Sequence, residues 1–540
     1  MKIRKVFVAN RGEIAARVFR TCRRLGVGTV AAFAPDDAGA FHTRAADEAV
    51  PVASSLDAES LVQAACDAGA DAIHPGYGFL AENGDFAEAA AAAGLAFVGP
   101  SPTAIRAAGD KLEAKRLAAK AGVPVVESGE PEAIGYPLIV KAAAGGGGRG
   151  MRVVRSPGEL EEALESAARE AEAGFKDGRV FCERYVERPR HVEIQVLADR
   201  HGTAIHLGER ECSIQRRHQK VLEESPSPAL DPDLRAAMGD AAVAFARAVG
   251  YENAGTAEFM LDGDRFYFLE LNARLQVEHP VTELVTGIDL VEQQLRIAAG
   301  EPLEVRFEEP DGHAVEVRLY AEHPLTFLPQ AGRLERLKLP EGIRVDAGVE
   351  AGDDVPVAYD PLIAKLIAHG ETREDAFDTL SGALRATRVA GTTTNLGFLR
   401  WLVDHPAVRA GETTTAFLSD HPPLSLPTKD TGPWARYWRL NRGRSEPPPR
   451  GRPAPTVESA AHSADGAHET SSLVAPMPGV VIRVLAGEGE RVEARQPLVV
   501  LEAMKMETPL VSPYEAVVKR VHVAEGDRVA GGALLVELED

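Results

Sequence analysis

The segment 472–540 contains an internal repeat in which matching residues lie 37 positions apart. The matches are Pro476 and Pro513, Val484 and Val521, Glu488-Gly489 and Glu525-Gly526, Arg491-Val492 and Arg528-Val529, Leu498 and Leu535, and Glu502 and Glu539. Two copies of one short β unit can bury their apolar sides against each other. The repeat therefore predicts a small quasi-symmetric β sandwich, and the connection between its copies is expected to form an exposed hairpin.

Lys505 lies in that connection, within the sequence AMKM (503–506). An exposed lysine at a hairpin can be acylated by an enzyme because its stem is flexible and its amine is reactive. The alternative is that Lys505 is a solubilising surface charge, as most exposed lysines are. Its place at the centre of the repeat favours modification.

Composition excludes several classes of function. The chain has 81 acidic and 60 basic residues and a formal net charge of -21, so it should repel nucleic acid and anionic membranes. No secretory signal and no apolar run of membrane-spanning length is visible, which predicts a cytoplasmic protein. The four cysteines are widely separated and are interpreted as reduced thiols without a catalytic role.

The first half of the chain has the pattern of an α/β protein. A strand at 3–10, an amphipathic helix at 12–25 and a strand at 27–33 form a βαβ unit, and a second unit ends in the turn-rich segment HPGYGFL at 74–80. Ligands bind open α/β sheets at such strand ends. Between roughly 110 and 320, strands and helices alternate in a way that predicts an α+β body with a mobile lobe.

A glycine-rich run at 144–151 follows a predicted strand that ends in Lys141. Backbone N–H groups of such a run can wrap phosphates, although glycine runs are also common in flexible linkers. The strand and the lysine in front of it favour a nucleotide-binding lid.

Polar residues alternate with apolar ones in LELNARLQVEHP (269–280). If this segment is extended, the polar residues share one face; they are Glu270, Asn272, Arg274, Gln276 and Glu278. With Glu258, the first two suit a hard cation such as Mg²⁺ or Mn²⁺, while Arg274 could bind a small anion and Glu278 could act as a base. The alternative is an ordinary strand with one wet face.

Seven segments of the chain resemble biotin carboxylase, an ATP-grasp enzyme. The similarity runs through most of residues 1–420. They are VANRGEIAARV (8–18), HPGYGFLAEN (74–83), GDK (109–111), AGGGGRGM (144–151), RHVEIQVLAD (190–199), CSIQRRHQK (212–220) and ELNARLQVEHPVTE (270–283). The segment around AMKM is similar to the biotinyl domain of biotin-dependent carboxylases. The combination resembles the alpha subunit of an acyl-CoA carboxylase.

The resemblance implies a multidomain protein of α/β and α+β class. The expected domains are a Rossmann-like pre-ATP-grasp domain (1–110), an ATP-grasp domain (111–317) with a mobile lid near 130–200, a carboxylase C-terminal domain (318–440), a Pro-rich linker (441–471) and an all-β flattened biotinyl/lipoyl-type sandwich (472–540).

The resemblance also implies roles for individual residues. ATP is expected to contact Lys111, Lys141, Gly146, Gly147, Gly148, Glu183, Val186, His191, Gln215 and His218. Glu258, Glu270 and Asn272 would hold the metal ion. Bicarbonate would bind Lys220, Arg274, Gln276 and Val277. Glu278 would take its proton, Arg318 would stabilise the enolate of biotin, and Lys505 would carry the biotin.

Because the domains account for the whole chain, a separate carboxyltransferase (beta) subunit is expected as partner, together with a biotin protein ligase and a second carboxylase domain in a homodimer. Two alternatives are a different ATP-grasp ligase, which the biotinyl segment disfavours, and a non-catalytic carrier scaffold. The presence of Glu278, Arg318 and Lys220 disfavours the scaffold, since it would need none of them.

Overall fold

The computed structural model describes residues 2–143, 151–175, 177–216, 219–324, 327–356, 358–422, 471–476, 479–503, 506–529 and 532–539. Within these ranges, no helix combines the length and the apolar character that a membrane span requires. The predicted linker lies almost entirely outside them.

The N-terminal region is a five-stranded parallel sheet with strand order β3-β2-β1-β4-β5, flanked by helices. Its elements are β1 Lys5–Val8, α1 Gly12–Leu25, β2 Gly28–Phe33, α2 Phe41–Ala45, β3 Glu48–Pro51, α3 Ala58–Asp67, β4 Ala72–His74, α4 Gly84–Ala92, β5 Ala96–Phe97 and α5 Pro102–Gly109. Helix α1 ends where Gly26 adopts a φ of 68°, a conformation that costs glycine little. The predicted Rossmann-like α/β fold is confirmed.

A small lobe follows, built on the three-stranded antiparallel sheet β7-β6-β8. The elements of this region are α6 Lys111–Lys120, α7 Pro131–Ile134, β6 Leu138–Ala142, β7 Arg152–Val154, α8 Leu160–Phe175 and β8 Val180–Arg184. The sheet has its own apolar cluster, which includes Leu138, Val140 and Val154. A lobe with a separate core is the arrangement that a lid requires.

The centre of the body is an eight-stranded sheet with strand order β13-β12-β9-β10-β11-β14-β19-β17. This region contains β9 Arg190–Ala198, β10 Ala204–Arg216, β11 Gln219–Ser225, α9 Pro232–Ala248, β12 Asn253–Asp262, β13 Arg265–Asn272, α10 His279–Thr286, α11 Leu290–Ala298, β14 His313–Tyr320, β15 Gly332–Arg333, β16 Arg336–Lys338, β17 Arg344–Ala347, β18 Asp354–Val355, β19 Leu362–Gly370, α12 Arg373–Ala386, β20 Arg388–Ala390, α13 Leu396–Val403, α14 Pro406–Arg409 and α15 Phe417–Asp420. The domain boundary predicted between residues 317 and 318 falls inside β14, so one sheet joins the two regions.

The predicted extended segment at 269–280 is only partly a strand. Strand β13 ends at Asn272, residues 273–278 form a loop, and α10 begins at His279. The alternation beyond Asn272 is therefore not a strand periodicity, because the chain turns toward a helix that has Pro280 in its first turn. The expectation that all five polar residues project from one strand face is wrong.

The C-terminal domain is a sandwich of two four-stranded antiparallel sheets, ordered β21-β28-β26-β23 and β25-β24-β22-β27. Its strands are β21 Ser471–Val474, β22 Gly479–Val484, β23 Arg491–Val492, β24 Pro497–Ala503, β25 Met506–Val511, β26 Ala516–Val521, β27 Arg528–Val529 and β28 Leu534–Glu539. Strands β22, β23 and β24 correspond to β26, β27 and β28 at the 37-residue spacing of the repeat. The predicted quasi-symmetric sandwich is confirmed, and its apolar face forms one core.

Candidate active site

A cavity of about 750 Å³ lies where the N-terminal sheet meets the eight-stranded sheet. Asn10 and Gly12 follow β1, and Tyr77 follows β4, so the carboxyl ends of two parallel strands form one wall. Strands β12 and β13 and the loop 273–278 form the opposite wall. The volume lies within the range of small-molecule sites.

Glu278 is the centre of a network of charges on this wall. Its side chain is buried and accepts hydrogen bonds from Lys220 Nζ at 2.7 Å and from an Arg318 guanidinium nitrogen at 2.8 Å. Burial alone would raise its pKa, but Lys220, Arg318 and Arg210 together lower the pKa of Glu278 well below the ordinary value. The group is therefore a carboxylate at neutral pH, as an acceptor of protons must be.

Lys220 joins three carboxylates on strands and loops that are far apart in sequence. Its amine donates to Glu258 at 2.8 Å, to Glu278 and to Glu193. Burial would lower its pKa, yet the three carboxylates raise the pKa of Lys220 well above the ordinary value. Lys220 is thus a permanent cation beside the base.

Glu258 and Glu270 are direct partners in the antiparallel pair of β12 and β13, so their side chains lie on the same face. Burial and the charge of Glu258 raise the pKa of Glu270. The side-chain nitrogen of Asn272 donates to Glu258 Oε1 at 2.9 Å, which places the same amide, with its oxygen, beside the carboxylate. Two facing carboxylates that repel each other, with an amide oxygen beside them, form the oxygen-only donor set that Mg²⁺ prefers. These residues therefore fit the predicted metal ion.

Arg274 is held in a defined orientation by three side-chain acceptors and by the backbone carbonyl of Leu275 at 3.3 Å. Its guanidinium donates to Glu82 at 2.9 Å, to Gln276 Oε1 at 2.9 Å and to Asn272 Oδ1 at 3.1 Å. Glu82 also accepts from the backbone N–H of Ala273 at 3.0 Å. A planar guanidinium fixed in this way can attract a small planar anion through its positive charge.

At the other end of the cavity, lysines gather around one carboxylate. Glu183 on β8 is fully buried and pairs with Lys141 at 2.7 Å and with Lys115. Lys111, at the start of α6, has its amine 3.9 Å from Glu270. This concentration of positive charge suits the phosphates of a nucleotide.

The structure brings most of the predicted site residues together. Those that line the cavity are Lys111, Lys141, His191, Gln215, Lys220, Glu258, Glu270, Asn272, Arg274, Gln276, Val277, Glu278 and Arg318. Glu183 and Val186 are buried but do not line it. The predicted contacts Gly146, Gly147, Gly148 and His218, and the predicted biotin attachment site Lys505, lie outside the described residues.

Sequence reasoning missed Glu82 and Lys115, which also line the cavity. Lys115 is four residues after Lys111 on α6 and therefore shares its face, a signal that could have found it. Glu82 follows the turn after β4, where ligands of α/β sheets bind. The described residues of the segment 209–224 belong to the paired strands β10 and β11 and are mostly buried, and Cys212 is fully buried.

Two strands of the C-terminal sandwich come before and after the predicted attachment site in the sequence. Strands β24 and β25 pair antiparallel, and the last pair before the turn is Ala503 with Met506. The two repeat copies are therefore joined between β24 and β25, while Lys505 itself lies outside the described residues.

Four family models match the chain in sequence order. They are "Biotin carboxylase, N-terminal domain" at residues 2–105, "Carbamoyl-phosphate synthase L chain, ATP binding domain" at 110–306, "Biotin carboxylase C-terminal domain" at 316–420 and "Biotin-requiring enzyme" at 471–538.

Curated relatives agree with these models. The chain is 48% identical over 441 residues to a biotin carboxylase of Halalkalibacterium halodurans, covering 77% of this chain and 98% of that protein. It is 48% identical to the mitochondrial methylcrotonoyl-CoA carboxylase subunit alpha of Rattus norvegicus, covering 79% of this chain but only 64% of that protein. It is 47% identical to the propionyl-CoA carboxylase alpha chain of Ruegeria pomeroyi, covering 79% of this chain and 70% of that protein.

Solved structures show the same fold. The biotin carboxylase domain dimer of Hydrogenobacter thermophilus 2-oxoglutarate carboxylase, in complex with MgADP, ADP and bicarbonate, matches with a TM-score of 0.77 and 42% identity over 79% of this chain and 100% of that chain. The beta-gamma-ATP complex of biotin carboxylase from Campylobacter jejuni matches with a TM-score of 0.76 and 40% identity over 78% of this chain and 99% of that chain.

Proposed function

Because this chain belongs to the biotin carboxylase family and has a C-terminal domain of the biotin-requiring type, we propose that it carboxylates biotin attached to its own Lys505. The reaction consumes ATP and bicarbonate and takes place in the cavity around Glu278. The observation that carries the proposal is the convergence of Lys220 and Arg318 on that single buried carboxylate.

In the proposed mechanism, Lys220 and Arg274 hold bicarbonate by its negative charge, and the backbone of Val277 and the side chain of Gln276 complete the site. Glu278 takes the bicarbonate proton, so that a bicarbonate oxygen can attack the γ-phosphorus of ATP and ADP leaves. Lys111 and Lys141 neutralise the phosphate oxygens. Glu258, Glu270 and Asn272 would hold Mg²⁺ or Mn²⁺, which when bound neutralises developing charge on the phosphates.

The carboxyphosphate so formed releases carbon dioxide and phosphate. Arg318 stabilises the enolate of the biotin ureido group, whose nitrogen attacks the carbon dioxide, while phosphate takes the nitrogen-bound proton. The products are ADP, phosphate and carboxylated biotin. Closure of the lobe built on β6, β7 and β8 would keep water from the intermediate.

We also propose that the chain is the alpha subunit of an acyl-CoA carboxylase in the cytoplasm, with a separate carboxyltransferase subunit as its partner and a biotin protein ligase as its modifying enzyme. The names of the rat and Ruegeria relatives support this role. The solved dimer of a related carboxylase domain supports a homodimer of the carboxylase bodies.

The experiment that tests the function measures bicarbonate-dependent ATP cleavage with free biotin in the purified chain and in Glu278→Gln. We expect the substitution to lower turnover at least about a hundredfold, because a general base is lost. Glu292→Gln, on helix α11 outside the cavity, is the matched control and should retain wild-type turnover. Near-normal turnover in Glu278→Gln would remove this residue from the mechanism.

A further inference from the structure

Lys365 on β19 is a fully buried lysine that does not line the cavity. A buried ammonium group is costly unless it is paired and hydrogen-bonded. Its amine donates to the backbone carbonyl of Val277 at 2.9 Å and lies 3.2 Å from Glu13 and 3.8 Å from Asp346. The charge is therefore neutralised by two carboxylates, while its hydrogen bond reaches the loop that carries the base.

The sheet places Lys365 beside Arg318. The two residues are direct partners in the antiparallel pair of β14 and β19, so their side chains lie on the same face. Arg318 holds the side chain of Glu278 at 2.8 Å, and Lys365 holds the carbonyl of the preceding residue, Val277. Two neighbouring cations thus hold consecutive residues of one loop.

The hydrogen bond from Lys365 fixes the orientation of a whole peptide unit. The peptide between Val277 and Glu278 is planar, so a fixed carbonyl also fixes the direction of the Glu278 N–H. These residues belong to the loop 273–278, which has no strand or helix of its own. The loop therefore depends on side chains such as Lys365 for its conformation.

Lys365 also connects this loop to the opposite wall of the cavity. Glu13, at the start of α1, accepts a hydrogen bond from the hydroxyl of Tyr77, and both of these residues line the cavity. The pair of Glu13 with Lys365 therefore joins the N-terminal sheet to the loop of the base.

We propose that Lys365 is a positioning residue for bicarbonate binding. Its hydrogen bond orients the Val277–Glu278 peptide so that the bound anion lies next to the base, Glu278. This inference rests on the proposed function, since the substrate is the bicarbonate of that reaction. Lys365 itself does not touch the substrate. Loss of Lys365 should weaken the binding of bicarbonate. It should leave Lys111 and Lys141, which are proposed to contact the phosphates of ATP, in place.

The test compares Lys365→Met and Lys365→Arg with a matched control, Arg235→Met. Arg235 also pairs with a buried carboxylate, Glu209 at 2.9 Å, but lies outside the cavity. We expect Lys365→Met to raise the KM for bicarbonate by about tenfold or more, because a charged hydrogen bond is lost. The KM for ATP should change by less than about twofold, and Arg235→Met should change neither.

Lys365→Arg keeps the positive charge that Glu13 and Asp346 require, but its longer, planar group cannot occupy the same place. We expect it to raise the KM for bicarbonate several-fold. If Lys365→Met does not fold, the two KM values of Lys365→Arg test the proposal instead. Equal rises of both KM values, or wild-type KM values in the folded variants, would overturn the proposal.

A second measurement does not depend on activity. Hydrogen exchange of the peptide that contains Val277 and Glu278 should be faster in the Lys365 variants than in wild type, and unchanged in Arg235→Met. Unchanged exchange in the Lys365 variants would overturn the positioning role. If the wild-type chain shows no bicarbonate-dependent ATP cleavage, the proposed function fails, and hydrogen exchange still decides whether Lys365 positions the loop.

Discussion

The carboxylase body and the C-terminal sandwich use charge in opposite ways. In the body, Arg210 and Glu278 are buried and the side chain of Lys220 is only 12% exposed, and each of the three contacts at least two other polar side chains. In the described part of the sandwich, ion pairs such as Arg491 with Glu515 lie at the surface, where their side chains are 78% and 62% exposed. The charges of the body form a buried network, whereas the described charges of the sandwich lie outside an apolar core.

The two regions should therefore respond differently to substitution. A residue of the body network both performs chemistry and holds its neighbours, so its loss changes stability as well as activity. A residue of the sandwich surface can change without disturbing the apolar core beneath it.

The largest effect is expected at Lys505. Lys505→Arg should abolish biotin attachment completely, because a guanidinium cannot be acylated by the ligase in place of the amine. Carboxylation of free biotin by the body should remain within about twofold of wild type. Intact mass spectrometry after co-expression with a biotin ligase measures the first property, and ATP cleavage with free biotin measures the second. Biotin attached at another lysine would contradict the assignment.

A large loss of stability is expected at Arg210, whose side chain is fully buried. It donates to Glu193, to Gln195 at 2.8 Å and to Thr282 at 2.9 Å. Arg210→Met removes these hydrogen bonds, leaves Glu193 with Lys220 as its remaining cation, and should lower the free energy of unfolding of the body by about 3–5 kcal/mol. Urea denaturation of the full chain, followed by a probe in the body, measures this. A loss below about 1 kcal/mol would show that the network does not support the fold.

The same division explains what the sequence could predict. The repeat at 37 residues determines the sandwich because each match places a strand in one copy opposite an equivalent strand in the other. The five-stranded sheet was equally predictable, since the apolar strand Lys5–Val8 and the amphipathic helix Gly12–Leu25 are local patterns. The local spacing of apolar residues is sufficient to predict a helix or strand wherever that element buries one face.

The body's site was less predictable because its contacts are not local. The residue types at 258–278 indicated a metal ion, an anion and a base, but the strand was expected to continue beyond Asn272, where it ends. Lys365 was not identified, although a single lysine within the apolar strand LIAKLIAHG is an unusual feature. Its partners, Glu13 and Val277, lie 352 and 88 residues away in sequence, so only the folded chain brings them together.

Turnover should depend on pH through Glu223, a buried carboxylate that contacts Arg318. Burial raises the pKa of Glu223 to about 7, although Arg318, which donates to it at 2.6 Å, opposes the shift. As the pH falls through about 7, Glu223 becomes neutral and holds Arg318 less firmly. Turnover should then decrease, by up to about tenfold per pH unit.

The contribution of Glu223 to stability depends on pH in the opposite direction to its contribution to turnover. Its folded pKa lies above its ordinary value of 4.5, so the contribution is fully present below pH 4.5 and is lost as the pH rises through about 7. Glu223→Gln should flatten both profiles. Glu224→Gln is the control, because Glu224 pairs with Arg373 and His313 instead. Turnover profiles between pH 5.5 and 8.5 measure the effect, and identical profiles in wild type and Glu223→Gln would contradict it.

The smallest effect is expected at Arg491, whose ion pair is exposed, in contrast to that of the buried Arg210. The side chains of Arg491 and Glu515 remain solvated, so their attraction is weakened by water and by salt, and ordering them costs entropy. Arg491→Met should therefore change the free energy of unfolding of the sandwich by less than about 1 kcal/mol and leave biotin attachment unchanged. Denaturation of the full chain at low and high salt checks this. A loss comparable to that of Arg210→Met would mean that the sandwich, like the body, depends on a charge network and does not derive its stability from the apolar core of its two repeat copies.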